Sequence, residues 1–545
     1  MANQSSPHDF LRDAPYLVHV RNMTAGLSAE SMQSAVQTIS DIISNLYVHL
    51  PQKSSAFGTD VVRELNVLAD TIPFVRSERE FVSLLQKSTK RLFDRHTGIV
   101  VPYPWKDLVA FLPVVLESCW DGNGRRFVVV SRVLDPDIAN ALRPGLEITH
   151  WNGTPIGTYI ETLSWATEGA NPGARVALAL RSLTVRPLGY FVAPDEDWVN
   201  LTIWDGSTSK NISLPWRVYG SWQFQQRNAP PPDVQGGHTI FLGLDQATAS
   251  VNFGLKELFA ATARAKSTRV FKLGSDAKEF NPLPENLSFD IVEYGRESFG
   301  YIRIFSFEAP NSVEFLKGFI QICDILPEKI ILDLRGNPGG TIPSGEILLQ
   351  LFSKKDVEFG KVEFRNTKLA KRLVDGLDYF SEWRNSMRLA TDTGQEFSQG
   401  IELTKRSNFP LFDNVKRKKA ALIIDALCYS TTDFFAAGFR DNRLGPVIGL
   451  DRATGAGGAN VWSYSQVTQF ALASGCPPLA QLPSGFDFNL SVRRATRAGD
   501  LRGMPLEGLG AEADIDHIYR PSTDDVAGNN EQLVLYAASV LSKVS

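Results

Sequence analysis

Two glycines near the middle of the chain have the position needed to stabilise a developing negative charge. Gly339 and Gly340 end the stretch Gly-Asn-Pro-Gly-Gly at 336–340, which follows an apolar run at 330–334 typical of a buried strand. An apolar helical pattern begins at Ile342. Since glycine adopts backbone angles that other residues avoid, both amides would be free to hold an anion or an oxyanion. A tight turn between strand and helix, without a catalytic role, is the alternative.

A candidate nucleophile, Ser430, lies between a predicted strand at 420–426 and an apolar helical pattern at 431–439. A serine hydroxyl is a poor nucleophile at neutral pH, so it would need a base and amides that hold the oxyanion. At the start of a helix its oxygen would lie near the positive end of the helix dipole, and the Thr431 amide would point toward the oxyanion. Ser430 with Asp433 also fits a simple helix cap.

Hydrophobic periodicity indicates which elements must position these residues. Residues 28–92 carry helical spacing with capping residues, which predicts a small helical domain. Residues 125–218 are rich in strand-like runs, and 219–288 include a proline-rich stretch typical of a linker. From 289 to about 520, strand and helix patterns alternate as in a layered α/β domain.

Composition favours a multidomain globular protein. The chain has 545 residues and a mass of 60.2 kDa, with 43% hydrophobic and 21% charged residues, enough to bury more than one core. A net charge of −4 gives no electrostatic reason to expect nucleic acid or an anionic membrane as a partner. No apolar run reaches the roughly 18 residues of a membrane span. Residues 1–10 lack the basic and apolar blocks of a signal peptide, so we expect the protein either inside the cell or with its signal removed.

Two motifs resemble one family of peptidases. The run Asp-Leu-Arg-Gly-Asn-Pro-Gly-Gly at 333–340 resembles the D-L-R-x-N-x-G-G signature of the tail-specific, or C-terminal processing, serine peptidases and their tricorn-core relatives. The segment Cys-Tyr-Ser-Thr-Thr-Asp at 428–433 is similar to that family's S-x-S-E nucleophile turn, with Ser430 as nucleophile and Asp433 as the acidic residue. Because both motifs occur in the family's order, the resemblance is more specific than either motif alone.

The resemblance also implies a base for Ser430. The bacterial processing branch uses a lysine that follows the serine, but no lysine occurs between Lys419 and Lys543, which excludes that Ser-Lys dyad. The tricorn branch, which includes the chlamydial protease-like activity factor, uses a histidine from far upstream. The segment at 93–99 resembles that branch's D-x-H-t-G motif and makes His96 the expected base.

The same branch takes a glutamate from downstream. The segment at 505–515 resembles its I-E-x-x-G-v-x-P-D-i motif, although Ala513 replaces the usual proline, and Glu507 falls on the catalytic glutamate. The resemblance implies that Glu507 orients and polarises His96, as aspartate does in a Ser-His-Asp triad. Tricorn adds a serine before the histidine, where this chain has Arg95, so a triad is expected and not a tetrad. A surface carboxylate in a turn is the alternative for Glu507.

The remaining parts of the expected site are backbone groups. Gly339 or Gly340, with Thr431, would supply the oxyanion amides. The glycine-rich run at 451–458 resembles the stretch that takes the place of the lysine in the tricorn branch. Since no P-loop lysine follows it, we interpret it as a loop lining the cleft and not as a phosphate cradle.

A second resemblance lies upstream of the nucleophile. Residues 145–156 resemble the G-D-x-I-x-x-v-N-G-x-x-v core of a PDZ domain, with a tight turn at Asn152-Gly153. PDZ domains bind an extended peptide by adding it to a sheet edge, and we expect Val129 to lie at such an edge. An unrelated β hairpin is the alternative.

Together these features predict an α/β multidomain fold in which a crotonase/ClpP-like α/β sandwich is catalytic. The expected function is that of a serine endopeptidase acting on unfolded or extended polypeptides. A catalytically inactive ligand- or peptide-binding protein on the same fold and a crotonase-like acyl hydrolase are the alternatives. The expected division is an N-terminal helical domain at 1–92, a catalytic-histidine segment at 93–124, a PDZ-like domain at 125–218, a linker with extra β elements at 219–288, a catalytic α/β domain at 289–520 with a charged insertion at about 353–419, and a C-terminal helix at 521–545.

Other partners and the compartment follow less directly from the sequence. A polypeptide substrate and a homodimer are expected, and no metal or organic cofactor is implied. Four cysteines are too few for a disulfide framework and match no metal-binding spacing. Asn-X-Ser/Thr triplets favour a secreted protein whose signal peptide is absent from this chain, with a cytoplasmic protein as the alternative. These triplets begin at Asn22, Asn152, Asn200, Asn211, Asn286 and Asn489.

Overall fold

The N-terminal region is helical in the structure. This computed structural model describes residues 14–102, 104–134, 138, 141–220, 242–244, 249, 251–252, 280–405, 407, 415–528 and 530–544. The first helices are α1 (Leu17–Val20), α2 (Ala29–Leu46), α3 (Leu50–Phe57), α4 (Val61–Thr71) and α5 (Glu78–Lys90). Ser28, Asp60 and Ser77 cap α2, α4 and α5, because each side chain accepts a hydrogen bond from a backbone amide of the first turn. The helices expected before residue 92 are present, while the domain boundary stays a prediction.

The next region consists of antiparallel sheets and two helices. Its elements are β1 (Gly98–Val100), β2 (Leu108–Phe111), β3 (Val114–Trp120), β4 (Arg126–Val133), β5 (Glu147–Trp151), β6 (Thr154–Pro155), α6 (Ile156–Ser164), α7 (Pro172–Ser182), β7 (Val185–Pro187), β8 (Trp198–Trp204), β9 (Ser209–Pro215) and β10 (Arg217–Gly220). One sheet has the order β3-β4-β5-β8-β9, with β6 paired to β5, and another has the order β10-β2-β7. Helix α6 packs on β5, and α7 packs on β3.

The expectation that Val129 lies at a sheet edge is wrong. Val129 is fully buried on β4, where it pairs with Glu117 of β3 and with Glu147 of β5. The continuous apolar run of β4 is typical of a strand with neighbours on both sides, whereas edge strands carry charged or polar residues.

The remaining elements form a five-stranded sheet, a two-stranded sheet and most of a four-stranded sheet, with helices around them. They are β11 (Leu242–Leu244), β12 (Leu287–Tyr294), β13 (Glu297–Ile304), α8 (Ser312–Ile325), β14 (Lys329–Asp333), β15 (Gly339–Thr341), α9 (Ile342–Glu346), β16 (Lys361–Phe364), α10 (Lys368–Gly376), α11 (Ser381–Thr393), β17 (Lys419–Ile424), α12 (Thr431–Asp441), β18 (Val447–Gly449), β19 (Ala459–Ser463), α13 (Tyr464–Ala473), β20 (Asp487–Thr496), α14 (Thr523–Ala527) and α15 (Glu531–Ser542).

A five-stranded sheet forms the centre of this part, in the order β12-β13-β14-β17-β18. Strands β12 and β13 are antiparallel, and the other neighbours are parallel. Ile331 and Ile423 pack on one face against apolar residues of α15, whereas Leu332 and Leu422 point into the main core. Since both faces are covered, β14 and β17 are almost wholly apolar. The layered α/β class is confirmed, and the crotonase/ClpP-like assignment stays a prediction.

Strand β20 gathers distant segments into a second sheet. It pairs with β1, β16 and β19, all antiparallel. The pairing of Gly98 with Asn489 fixes the segment just after His96, and β16 comes from the charged insertion at 353–419. The insertion therefore contributes a strand of this sheet as well as helices α10 and α11.

Gly340→Ala should destabilise the fold, because an ideal Cβ at Gly340 would lie 2.1 Å from the backbone of Phe307 and the φ angle there is +147°. Neither backbone can move easily, since the Phe307 amide donates to the Gly339 oxygen (2.8 Å). We expect a loss of about 2–4 kcal/mol in the free energy of unfolding, measured by urea denaturation. Gly98→Ala is the matched control, because nothing lies within 4 Å of its Cβ position. Equal midpoints for the two variants would contradict the close approach.

Candidate active site

Ser430 lies in a constrained turn between β17 and α12. Its side chain is fully buried, and its backbone has φ +64° and ψ −121°, which is unusual for a residue other than glycine. The Asp433 carboxylate accepts the Ser430 amide at 2.8 Å and holds this conformation. The expected cap geometry is thus present, and it also fixes the direction of the Ser430 side chain.

His96 meets Ser430 across 334 positions of sequence. Its Nε2 lies 2.7 Å from Oγ of Ser430, so the structure brings the expected base and nucleophile into hydrogen-bond distance. The imidazole packs against the ring of Tyr429 at 4.7 Å between centroids. His96 itself is buried, since only 2% of its surface is exposed. The catalytic roles of the two residues stay predictions.

Asp94 attaches the His96 segment to β20. One carboxylate oxygen accepts the His96 amide at 2.8 Å, and the other accepts the hydroxyls of Thr97 (2.9 Å) and Ser491 (2.8 Å). Burial would raise the pKa of Asp94, but its interactions with His49, His96 and Lys53 and the hydrogen bond from Ser491 outweigh it, so this pKa lies below its ordinary value. Asp94 belongs to the histidine motif, but no local pattern indicates that it binds β20.

Glu507 lies in the same buried cluster, with Lys53 as its ion-pair partner. The two are joined by a 2.5 Å contact between Nζ and Oε1, while Oε2 accepts the Gly458 amide at 3.1 Å and lies 3.9 Å from Nε2 of His49. Burial raises the pKa of Glu507 to about 8, although Lys53 opposes the shift. These contacts place Glu507 beside the site, and its role in orienting His96 stays a prediction.

Sequence reasoning missed Lys53 and His49. A single lysine on an amphipathic helix is usually solvated, so no local signal pointed to a buried one. Burial lowers the pKa of His49 to about 3, which keeps this imidazole neutral. Both residues come from the N-terminal helical region, which the motifs had not connected with the chemistry.

The glycine turn packs directly against the start of α12. The Gly340 oxygen accepts the Thr431 hydroxyl at 2.8 Å, and the Gly339 amide donates to the side chain of Asn337 at 2.9 Å. Strand β15 also pairs with β11, with Gly243 opposite Gly340. The amide of Gly339 is therefore engaged within its own turn, and the assignment of oxyanion donors among Gly339, Gly340 and Thr431 stays a prediction.

Asp433 also holds the glycine-rich run, which forms a loop. Its carboxylate accepts the amides of Ala456 (3.1 Å) and Gly457 (2.8 Å) in addition to that of Ser430. A Cβ at Gly457 would lie 2.4 Å from the Tyr429 ring, so only glycine fits there. Burial raises the pKa of Asp433 to about 6.

A buried ion cluster fixes the strand that leads to the glycine turn. Asp333 contacts Arg303 (2.9 Å) and Arg335 (2.7 Å), and it accepts the Tyr301 hydroxyl at 2.8 Å. Burial would raise the pKa of Asp333, but the two guanidinium groups outweigh it and hold this pKa well below the ordinary range. The Arg in the motif thus has a structural role, as the partner of the Asp two residues before it.

Within the described ranges, no group of three or more His, Cys, Asp or Glu side chains is arranged to hold a metal ion. The helices of those ranges are also too short or too polar to cross a bilayer.

Part of the chain matches a known family. Residues 298–473 match the model of peptidase family S41. Over 122 residues the chain is 29% identical to a carboxyl-terminal-processing protease of Picosynechococcus sp., a match that covers 22% of this chain and only 28% of that relative. The family expected from the two motifs is therefore confirmed for this part of the chain.

Two solved structures have the same overall fold. Mature CPAF complexed with lactacystin gives a TM-score of 0.62 with 18% identity, covering 94% of this chain and 98% of that chain. A crystal structure of a CPAF mutant gives a TM-score of 0.66 with 17% identity, covering 95% and 98%. The similarity extends over nearly the whole chain.

Asp333→Asn should lower the free energy of unfolding by about 3–5 kcal/mol at pH 7, because Arg303 and Arg335 lose the carboxylate between them. The folded-state pKa of Asp333 lies below that of the unfolded chain, so its contribution is present above about pH 4 and is lost as the pH falls further. The difference between wild type and variant should therefore narrow from about pH 5 to pH 2, as measured by urea midpoints. Asp375→Asn, in an exposed ion pair with Lys371, is the control with a small effect at every pH. A difference that stays constant down to pH 2 would contradict the ion cluster.

Proposed function

We propose that this chain is a serine peptidase that cleaves peptide bonds through Ser430, His96 and Glu507. The 2.7 Å contact between Nε2 of His96 and Oγ of Ser430 carries the proposal, because it joins a nucleophile to a base at the distance that proton transfer requires. The family match over 298–473 supports it. A binding protein on the same fold would not need a base against a buried serine.

In this reaction Oγ of Ser430 attacks the carbonyl carbon while its proton passes to Nε2 of His96. The carbonyl oxygen becomes an oxyanion, which amides of the glycine turn and of the start of α12 hold. His96 then donates the proton to the leaving amine, and water hydrolyses the resulting ester with His96 again as base. Glu507 stabilises the imidazolium form of His96 through its negative charge.

We further propose that unfolded or extended polypeptides are the substrates and that the β-rich unit at 125–218 presents them. Among the strands that the structure describes, β9 is the outer strand of its sheet and is largely exposed, so a peptide can add to its outer edge. The opposite outer strand, β3, is less suitable because its Trp120 amide donates to the Pro521 oxygen at 2.8 Å. The docking edge therefore moves from the expected Val129 to β9.

Secretion and a homodimer remain part of the proposal. Four of the Asn-X-Ser/Thr triplets named above begin at an exposed asparagine, which supports a glycosylated, secreted protein. They are Asn22, Asn152, Asn200 and Asn211.

Ser430→Ala should abolish hydrolysis of an unfolded protein substrate, because no other atom replaces Oγ as nucleophile. Wild type should be labelled by a fluorophosphonate probe, and peptide mapping should place the label on Ser430. Loss of the helix cap costs about 1 kcal/mol, so Ser77→Ala, which removes the cap of α5, is the control for stability. Hydrolysis by the Ser430→Ala variant, or a label elsewhere in the chain, would refute the proposed function.

The acid side of the pH-rate profile should report an imidazole base. Since only the neutral form accepts the serine proton, kcat/KM should fall as the pH drops through the ordinary imidazole range near 6.5. His96→Ala should lose hydrolysis at every pH, whereas His517→Ala, which alters a histidine near the C-terminal helices, should keep the wild-type profile. A profile limited only at alkaline pH would point to a lysine base and against His96.

A further inference from the structure

Helix α3 holds both the backbone and the side chain of residue 507. Nζ of Lys53 contacts Oε1 of Glu507 at 2.5 Å, and Nε2 of Gln52 donates to the Glu507 carbonyl at 2.9 Å. Lys53 is itself buried, with 1% of its surface exposed. A buried ammonium is costly unless it is paired, so this contact is a strong local constraint.

The same ammonium also contacts the segment that carries the base. Nζ of Lys53 donates to the Phe93 carbonyl at 2.7 Å, three residues before His96. One side chain therefore connects the segment of the base with the segment of the acid. Neither connection needs any group from the five-stranded sheet that carries Ser430.

The charges around Glu507 balance in one protonation state. The charged or titratable groups that face this cluster are Lys53 and His49 from the helical region, Asp94 and His96 from the following segment, Arg494 on β20, and Tyr47, whose pKa burial raises. Arg494 is already paired with Glu363 at 2.7 Å, and His49 is neutral. With Glu507 ionised, the set Lys53, Asp94 and Glu507 carries one net negative charge, which a protonated His96 neutralises.

We propose that Lys53 is a positioning residue for the reaction, which acts through Glu507 by holding its carboxylate in place and in the ionised form when His96 takes the serine proton. The inference rests on the proposed function. Without the ammonium, burial favours the protonated acid, which carries no charge to stabilise an imidazolium. The N-terminal helical region would then be part of the catalytic apparatus.

The test is a double-mutant cycle of Lys53→Met and Glu507→Gln, assayed on an unfolded protein substrate. Lys53→Met should lower kcat about 10- to 100-fold with KM changed less than about 3-fold, because the substrate does not contact Lys53. Adding Lys53→Met to Glu507→Gln should change kcat less than about 2-fold, since the residue through which Lys53 acts has lost its charge. Lys418→Met removes another buried lysine, one that donates to the Leu326 carbonyl, and should leave kcat unchanged.

The double variant keeps the test valid if Lys53→Met folds poorly, because it leaves no unpaired carboxylate inside the protein.

Infrared difference spectra give a readout independent of turnover. The protonated carboxyl band of Glu507 should persist to higher pH in Lys53→Met than in the wild type, and it should be absent from the double variant. A wild-type kcat in folded Lys53→Met, or additive losses in the cycle, would overturn the role of Lys53. An inactive, unlabelled wild type would instead refute the proposed function, and the infrared band would still decide whether Lys53 sets the charge of Glu507.

Discussion

The hydrogen bond between His96 and Ser430 depends on two sheets that the chain builds separately. Ser430 follows β17 of the parallel sheet, whereas His96 precedes β1, a strand of three residues that is too short to hold a position by itself. Strand β20 supplies that position, since it pairs with β1 and its Ser491 binds the carboxylate of Asp94. The distance of 2.7 Å between Nε2 of His96 and Oγ of Ser430 is therefore maintained by contacts outside this pair of residues.

Buried carboxylates supply much of this support, and their neighbours decide their charge. Asp333 and Asp433 are both fully buried. Two guanidinium groups keep the pKa of Asp333 low, whereas Asp433 has backbone amides around it and burial raises its pKa to about 6. Full positive charges thus compensate for the hydration that a buried carboxylate loses. Amide dipoles only reduce the free-energy cost of burying its charge. The motif itself supplies one of the two positive charges, because Arg335 follows Asp333 by two residues.

Local patterns in the sequence predicted the elements well. The strands expected at 330–334 and 420–426 are Lys329–Asp333 and Lys419–Ile424, and the helix expected at 431–439 is Thr431–Asp441. These elements are read from apolar runs and their flanking residues, which are local properties. The closeness of His96 to Ser430 came from the order of motifs and not from periodicity.

What the sequence did not show depends on long-range pairing. Val129 proved to be interior because strand order places β4 between two neighbours, and no local pattern encodes that order. The insertion contributes β16 to the sheet of β20 for the same reason. Lys53 was missed since its partner lies 454 positions away, and a lone lysine in a helix gives no sign of burial.

The distance in sequence between Lys53 and Glu507 also determines the order in which the two residues are synthesised. Helix α3 leaves the ribosome long before Glu507 is added, and the sheets next to Ser430 and His96 are also synthesised before residue 507. A nascent chain therefore has His96 and Ser430 before it has the Glu507 carboxylate that α3 binds. All three groups exist only after residue 507 has been added, so the order of translation delays the moment at which His96, Ser430 and Glu507 are present together.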